Sequence, residues 1–298
     1  MKAVVYEKYG SPDVLEIKDI PRPVPKDNEV LIKVTATTVT AGDWRLRKAD
    51  PFLARIFNGL FKPTRVKVLG FELAGIIEEV GKKVTAFKPG DEVFAHCGLR
   101  FGGYAEYACL PANELMTIKP SNLTFEEAAA VPIGGLTAYR FLRQSGLEKN
   151  DRILIYGASG SVGTYAIQIA RAMGAEVTAV CGTDNIEMVT QLGAQHTIDY
   201  KKTDFTFIDQ KFDIIFDAVG KTSKSACKSI LMPGGKYLTV KRKPKSSPDD
   251  LQRLTQWITA GSIKPVMDRT YTLEQIREAH TYVESFRKKG NVVVRVRE

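Results

Sequence analysis

A glycine-rich turn in the middle of the sequence carries the residues with the clearest chemistry. Residues 157–163 read Gly-Ala-Ser-Gly-Ser-Val-Gly and match the dinucleotide-binding pattern G-x-G-x-x-G at Ala158, Gly160 and Gly163, with alanine replacing the first glycine. Glycines let backbone N–H groups approach a pyrophosphate, and a helix that starts here adds a partial positive charge. The turn therefore predicts nucleotide binding, whereas the alternative is a tight strand–helix connection without a ligand.

The turn is flanked by the two elements that such a site needs. Residues 152–156 form a short, mostly apolar run, which predicts a parallel strand buried on both faces. After the turn, apolar residues recur at helical spacing as far as Gly174, which marks a helix end. Strand, turn and helix together favour dinucleotide binding more strongly than the glycines alone.

The sequence alternates between strands and helices beyond residue 120. A helix is predicted over 185–192, and further strands are predicted at 176–180, 195–200, 212–220 and 235–240. Such alternation is typical of a Rossmann doubly wound parallel sheet, an α/β fold that binds ligands at the carboxyl ends of its strands. Before residue 120, short strands separated by Gly/Pro turns predict a β-barrel-like domain, which an alternating strand at 291–296 is expected to rejoin.

The end of the second parallel strand discriminates between the two nicotinamide dinucleotides. An NAD site has an acidic residue at this place, which binds the ribose 2′-OH. This sequence instead has Cys181, Gly182 and Thr183. A small, uncharged strand end leaves room for a 2′-phosphate and therefore favours NADP(H) over NAD(H).

The residues around this strand end carry charges of both signs. Asp184 would repel a 2′-phosphate, unless its side chain faces the amides of the next helix in a capping box from Asp184 to Glu187. Tyr200, at the end of the third strand, is followed by Lys201 and Lys202, which supply donors and positive charge. This grouping also favours NADP(H).

Three stretches in the first third of the chain contain polar residues that chemistry could use. Thr40 and Asp43 have the spacing of a helix N-cap and its N3 residue. Glu72 lies among apolar neighbours, so we expect it to be buried and paired. His96 and Cys97 are adjacent, and an extended chain would direct them to opposite faces, which does not favour a metal site.

The composition is that of an ordinary globular enzyme. The chain has 298 residues, 44% of them hydrophobic, with no apolar run long enough to span a bilayer and no signal-peptide pattern, which predicts a cytoplasmic protein. Its four cysteines are widely spaced and indicate neither a disulfide framework nor a zinc knuckle.

The net charge of +9 permits attraction to anions of any kind. The basic cluster at 241–245 is interpreted as a solvated loop rather than a nucleic-acid patch.

Taken together, these features resemble the medium-chain dehydrogenase/reductase superfamily, specifically its zinc-free quinone oxidoreductase-like branch. The markers run in order along nearly the whole chain, at residues 70–75, 102–107, 134–139, 157–163, 192–194 and 198–200. The resemblance implies a GroES-like β-barrel domain over 1–120, completed by 265–298. It also implies a Rossmann NADP(H)-binding domain over 121–264, with a cleft that holds the nicotinamide.

The resemblance further implies chemistry without zinc. Where zinc alcohol dehydrogenases place three catalytic zinc ligands, this sequence has Thr40, Phe71 and Gly134, and the last two have no side-chain donor atom. The four-cysteine structural zinc lobe is also missing. What remains is hydride transfer from NADPH to an acceptor activated by conjugation, namely a quinone, an enone or an enal.

Site residues follow from the resemblance by position. Thr40, Asp43 and Tyr104 are the candidates for lining the catalytic cleft. Core packing is the alternative role for the hydrophobic members of the nucleotide set. That set is Thr137, Ser159, Gly160, Val162, Gly163, Gly182, Thr183, Tyr200, Ala218, Val219, Leu238 and Val240.

Alternatives and partners remain open at this point. The expected partners are a small-molecule quinone or enone and a second copy of the chain, without nucleic acid. The segment from Val240 to Ser247 is shorter than in relatives, which puts the nicotinamide end and the dimer edge in question. The competing functions are an enoyl-thioester reductase and a non-enzymatic NADPH-binding regulator or RNA-binding protein. Only the basic cluster at 241–245 favours the last of these.

Overall fold

The computed structural model describes residues 1–297 except 114, 243, 245, 246 and 248. These residues form two compact units. Unit 1 contains Met1–Ile133 and the chain from Met267 onward, and unit 2 contains Gly134–Val266. The domain limits drawn from the sequence, 1–120 with 265–298 and 121–264, stay predictions.

Strands dominate the first third of the chain and then alternate with helices. The helices are α1 (Ala41–Lys48), α2 (Leu53–Asn58), α3 (Phe125–Ala129), α4 (Pro132–Ser145), α5 (Ser161–Ala172), α6 (Ile186–Gln191), α7 (Asp250–Thr259) and α8 (Ile276–Glu284). The strands are β1 (Lys2–Val5), β2 (Glu16–Asp19), β3 (Glu29–Thr38), β4 (Glu72–Val80), β5 (Glu92–His96), β6 (Tyr107–Pro111), β7 (Met116–Ile118), β8 (Arg152–Tyr156), β9 (Glu176–Cys181), β10 (His196–Asp199), β11 (Phe212–Asp217), β12 (Leu231–Thr239), β13 (Met267–Thr272) and β14 (Asn291–Arg295).

Unit 1 is organised around β3, the longest of these strands. The sheet order is β13-β14-β3-β4-β5-β7, with β6 also paired to β3. Strand β14 pairs antiparallel with β3, with Val293 opposite Thr38, which confirms the predicted return of the last strand. Among the described strands the pairing follows an open path, so backbone hydrogen bonds do not close the predicted barrel. Helix α8 covers this core with Ile276, Ala279 and Val283, which recur at helical spacing.

Unit 2 contains a five-stranded parallel sheet in the order β10-β9-β8-β11-β12. Counted along this unit, the order is 3-2-1-4-5, which is the Rossmann arrangement, and it confirms the predicted doubly wound sheet. The central strand β8 buries Ile153, Leu154 and Ile155 completely, as expected for a strand covered on both faces. Strand β12 begins at Leu231, four residues before the predicted start, because an edge strand tolerates Pro233.

Candidate functional site

The glycine turn joins the central strand of unit 2 to the N-terminus of α5. Gly157 has a φ of +79°, and its N–H and that of Ala158 both donate to the carbonyl of Val180 at 3.1 Å. Gly160 N donates to Gly157 O at 3.1 Å, which makes the turn tight. Gly160 is also the N-cap of α5, and glycine has no side chain with which to cap the amides of this helix. These amides form the kind of anion site that a pyrophosphate needs.

Packing requires two of the three glycines of the turn, but not the third. A Cβ on Gly157 would lie 2.4 Å from Val219 Cγ1, and a Cβ on Gly163 would lie 2.3 Å from Gly157 O. Both glycines are therefore needed for packing within the unit. A Cβ on Gly160 would meet only Gly157 O, at 3.5 Å, which is ordinary contact. Packing within the protein therefore does not require glycine at position 160. Glycine there fits a ligand that must approach the helix amides closely, because a side chain would stand in its way.

An amide side chain lies beside the turn with part of its bonding capacity unused. Asn185 Nδ2 donates to Ser159 Oγ at 3.3 Å, while the buried Asn185 Oδ1 has no partner in the described part of the chain. An orphaned buried oxygen at this place fits a ligand that brings a hydroxyl donor, such as the ribose of a nucleotide. Sequence reasoning missed Asn185, although its position just after the second strand was a usable signal.

The end of β9 gathers the groups that the sequence assigned to a 2′-phosphate. A Cβ on Gly182 would lie 3.3 Å from the Tyr200 hydroxyl and 3.4 Å from Lys201 Cε. Lys201 Nζ lies 3.5 Å from Asp184 Oδ2, so this lysine compensates the negative charge that argued against NADP(H). Asp184 belongs to a 3-10 turn, and α6 begins at Ile186 with Asn185 as its N-cap, so Asp184 is not the N-cap that the predicted capping box requires.

Thr183 is tied to the neighbouring strand. Its hydroxyl donates to Asp199 Oδ2 at 2.6 Å, and this hydrogen bond is the main reason that the pKa of Asp199 is lowered. The Thr183 oxygen keeps its lone pairs, so it can still accept from a ligand. The bond fixes the loop after β9 against β10.

We expect the Lys201→Glu variant to bind NADPH at least about tenfold more weakly than the wild type, because it replaces a charge that faces the strand end with its opposite. NADH has no 2′-phosphate, so its affinity should change little. Fluorescence titration with both nucleotides measures the difference. Lys211→Glu, an exposed charge change in the same unit, is the control. Equal losses for NADH and NADPH would contradict the assignment.

A buried carboxylate shapes the loop after β11. Asp217 is fully buried at the end of the strand, and Tyr237 Oη donates to its Oδ2 at 3.1 Å. Its oxygens also accept from the N–H groups of Val219, Gly220, Lys221 and Thr222, at 2.7–3.3 Å. This carboxylate holds the loop that carries the predicted residues Ala218 and Val219. The sequence analysis missed it, although an acidic residue at the end of an apolar strand was a visible signal.

The remaining predicted nucleotide residues lie on neighbouring elements of unit 2. Val240 N donates to Asp217 O at 3.1 Å, which places the end of β12, with Leu238, beside the loop after β11. Val162 is half-buried in the first turn of α5, and Thr137 is half-buried in α4. The strand ends thus gather most of the set at one edge of the sheet, and direct contact with a nucleotide stays a prediction.

Unit 1 contains a separate polar cluster that includes the three predicted cleft residues. Asp43 Oδ2 accepts from Thr40 N at 2.9 Å and from Thr40 Oγ1 at 2.6 Å, which confirms the capping box. Asp43 Oδ1 accepts from Gly70 N at 2.9 Å. Tyr104 donates to Asp43 and lies 3.2 Å from His280 Nε2. Thr40 is half-buried, whereas Asp43 and Tyr104 are fully buried.

Burial controls the protonation of this cluster. Loss of water raises the pKa of Asp43 to about 6, partly offset by its hydrogen bonds to Thr40. Burial also raises the pKa of Tyr104 well above its usual range and lowers that of His280 well below it, so both are neutral at pH 7. His280 has no signal in the sequence beyond its place in an amphipathic helix. A catalytic role for Thr40, Asp43 or Tyr104 stays a prediction.

Glu72 is buried and paired, as the sequence predicted. Its carboxyl bonds to the Thr38 hydroxyl and accepts from Ile133 N at 2.6 Å. Burial raises its pKa to about 8, against the opposing effect of these hydrogen bonds. The group is therefore mostly protonated at pH 7.

The positions compared with zinc ligands do not fit a zinc ion. The Phe71 ring packs 4.4 Å from that of Phe101, and Gly134 faces Ser161 and Tyr165. The Thr40 side chain offers only a hydroxyl, which is not among the ligands that zinc takes in proteins. Among the described residues, no group of three or more His, Cys, Asp or Glu side chains could hold a metal ion. The donor set thus lacks the nitrogen, sulfur and carboxylate ligands that zinc takes in proteins.

Two further sequence features have plain outcomes. His96 Nδ1 accepts from Gly98 N at 2.8 Å, within its own turn. Part of the basic cluster at 241–245, including Lys243 and Lys245, lies outside the described residues.

In the described part of the chain, no helix is long and apolar enough to cross a membrane.

Comparison with known proteins identifies the class that this fold and site define. The family "Alcohol dehydrogenase GroES-like domain" matches residues 26–120, and the family "Zinc-binding dehydrogenase" matches residues 161–274. The solved quinone oxidoreductase from Coxiella burnetii superposes with a TM-score of 0.88 at 26% identity, covering 100% of this chain and 99% of that one.

Relatives with similar sequences extend along nearly the whole chain. The 2-methylene-furan-3-one reductase of Solanum lycopersicum and the chloroplastic NADPH-dependent alkenal/one oxidoreductase of Arabidopsis thaliana are each 33% identical, over 99% of this chain and 79% of theirs. The quinone oxidoreductase of Homo sapiens is also 33% identical, over 94% of this chain and 93% of its own. The chain therefore belongs to the medium-chain dehydrogenase/reductase family. Within that family, its resemblance is to the quinone oxidoreductase-like branch.

Proposed function

We propose that the protein is an NADPH-dependent, zinc-independent oxidoreductase that transfers hydride to a quinone or an α,β-unsaturated carbonyl. The observation that carries this proposal is the glycine turn at the carboxyl edge of the parallel sheet in unit 2. In addition, the described residues contain no cluster that could hold a metal ion. The three relatives, named as reductases of furanones, alkenals or enones, and quinones, support the same acceptor class. Such acceptors are already activated by conjugation, so they do not need a Lewis acid.

Unit 2 would hold the cofactor through its backbone and strand ends. The amides at the start of α5, next to Gly160, would hold the pyrophosphate, and Tyr200 with Lys201 would hold the 2′-phosphate. When bound, NADPH supplies the hydride. The chain's own contribution is orientation and electrostatics, because none of its described groups is arranged to polarise an unconjugated carbonyl through a metal.

In unit 1, we propose Thr40 as the hydroxyl that assists protonation of the reduced acceptor. Asp43 is a positioning residue, since it is buried and accepts from the Thr40 hydroxyl. Tyr104 acts one step further away, by donating to Asp43. Thr40→Val should lower kcat for an enone at least about tenfold and shift the pH profile. The reason is that valine has nearly the shape of threonine but lacks the hydroxyl that carries the proton. Thr40→Ser should restore both. A Val variant with unchanged kcat would contradict this role.

The function is tested by mixing the protein with NADPH and a panel of acceptors and following NADPH absorbance. The panel contains a small quinone, an enal, an enoyl thioester and a saturated aldehyde. We expect oxidation with the first two and none with the saturated aldehyde. Elemental analysis of protein purified without added metal should find no stoichiometric zinc.

The same panel decides between the alternatives. Turnover confined to the enoyl thioester would identify an enoyl-thioester reductase. Tight NADPH binding without turnover of any acceptor would favour a regulatory or RNA-binding protein, with the basic cluster at 241–245 as its candidate surface. A homodimer and a cytoplasmic location are further proposals, tested by light scattering and by cell fractionation.

A further inference from the structure

The helix α2 and the turn after it expose a cluster of large apolar side chains, which we call the apolar patch. Their exposed fractions range from 50% to 87%. Five of the fourteen large hydrophobic residues that are exposed in the described chain fall within the ten positions from 52 to 61. Isolated exposed apolar residues are normal on protein surfaces, but a concentrated group marks an interaction site. The patch consists of Phe52, Leu53, Ile56, Leu60 and Phe61.

The opposite side of this segment is anchored firmly to unit 1. Asn58 is fully buried, its Nδ2 donates to the Tyr6 hydroxyl at 2.7 Å, and its Oδ1 accepts from Val66 N at 2.7 Å. Phe57 packs near Phe101, with ring centroids 6.4 Å apart. Because helical side chains three or four positions apart share a face, these anchors leave Leu53 and Ile56 facing outward together. The apolar patch is therefore held in place by the fold.

The same segment is strongly basic. Between residues 44 and 71 the sequence has one acidic residue, Asp50, which is exposed. Arg55 lies 5.9 Å from the Phe52 ring centroid, so its positive charge stands next to the apolar patch. Arg55 itself is half-buried, and the exposed cations in the segment are Arg45, Lys48, Lys62, Arg65 and Lys67.

We propose that the apolar patch docks the protein on an anionic lipid surface. Apolar and aromatic side chains beside lysines and arginines are the combination by which peripheral proteins enter the headgroup region, with the cations paired to lipid phosphates. A second copy of the chain would meet the same basic surface and be repelled, which favours a negatively charged partner. The proposal does not rest on the enzymatic function and requires no membrane-spanning helix.

Vesicle flotation of the full chain tests the proposal. We expect the protein to float with vesicles of phosphatidylcholine and phosphatidylserine, to remain unbound with phosphatidylcholine alone, and to be released by high salt. Phe61→Ser should lower the partition coefficient about tenfold, because it removes one large apolar group from the interface. Lys62→Glu should also lower it. Phe207→Ser is the matched control, since Phe207 is 83% exposed in unit 2.

Thermal melting of each variant checks that it is folded. We expect the melting temperatures to stay close to that of the wild type, because the changed side chains are exposed. Failure of the wild type to float with anionic vesicles would overturn the proposal. Equal binding by Phe61→Ser and the wild type would do the same. If light scattering shows a dimer that Phe61→Ser dissociates, the apolar patch is an interface between copies and the lipid proposal is wrong.

Discussion

The Gly160→Val variant is expected to lose NADPH binding by about 100-fold or more while keeping its fold. The backbone at Gly160 is extended, with φ −81° and ψ 175°, so valine can adopt it. An added Cβ would meet only Gly157 O, at 3.5 Å. The branched side chain would instead occupy the space in front of the α5 amides, where the pyrophosphate must lie. A loss of this size corresponds to about 3 kcal/mol of binding free energy.

Two neighbouring substitutions make the experiment decisive. Gly160→Ala adds a smaller group and should give an intermediate loss of affinity. Gly163→Ala places a Cβ 2.3 Å from Gly157 O and 2.7 Å from Ala158, so it should lower the melting temperature as well as the affinity. NADPH fluorescence titration and thermal melting separate the two effects. Wild-type affinity in Gly160→Val would mean that the turn does not bind the nucleotide.

Local patterns predicted much of this site because they depend on residues close together in the chain. The capping box of Thr40 and Asp43 joins positions three apart, so its spacing was visible. The parallel sheet of unit 2 followed from the alternation of strands and helices, since βα units leave few other arrangements. The glycine turn was equally local. These are the features where neighbouring residues alone determine the geometry.

Other parts of the site depend on contacts between distant residues, which a single sequence does not reveal. His280 reaches the Tyr104 hydroxyl across 176 positions, and only the folded sheet brings them together. Asp217 organises its loop partly through Tyr237, on the next strand. The start of β12 was missed because Pro and Gly normally break strands, whereas an edge position tolerates them.

Glu72 provides the largest expected effect on stability, and its sign follows from proton linkage. Its folded-state pKa of about 8 lies above its ordinary value of 4.5, chiefly because of burial. The folded state therefore keeps a proton that the unfolded state has lost. The resulting stability is fully present below about pH 4.5 and is lost as the pH rises through about 8. Asp43, with a pKa of about 6, contributes in the same direction mainly below pH 6.

Between pH 6 and pH 8, Glu72 changes the unfolding free energy more than Asp43 does, because the pKa of Asp43 is about 6 and that of Glu72 is about 8. There the wild type should lose about 2–3 kcal/mol of unfolding free energy to this group. In the wild type the Thr38 hydroxyl donates to Glu72. Glu72→Gln retains an acceptor for Ile133 N and places an amide next to Thr38, whose hydroxyl oxygen can accept from it. It should therefore lose markedly less stability across this window and be more stable than the wild type at pH 9.

Urea unfolding at pH 6, 7, 8 and 9 measures the difference between variant and wild type. Groups that do not interact with Glu72 cancel in this comparison. Lys288 does interact with it, and burial lowers the pKa of Lys288 to about 8, so the comparison at pH 6 and 7 is the cleaner one. Glu148→Gln, a change at an exposed glutamate, is the control and should follow the wild-type slope. Glu72→Leu leaves the Ile133 N–H without its acceptor, which should cost about 1–3 kcal/mol even at pH 6. If Glu72→Gln keeps the wild-type slope, the carboxyl is ionised in the folded protein and burial does not control it.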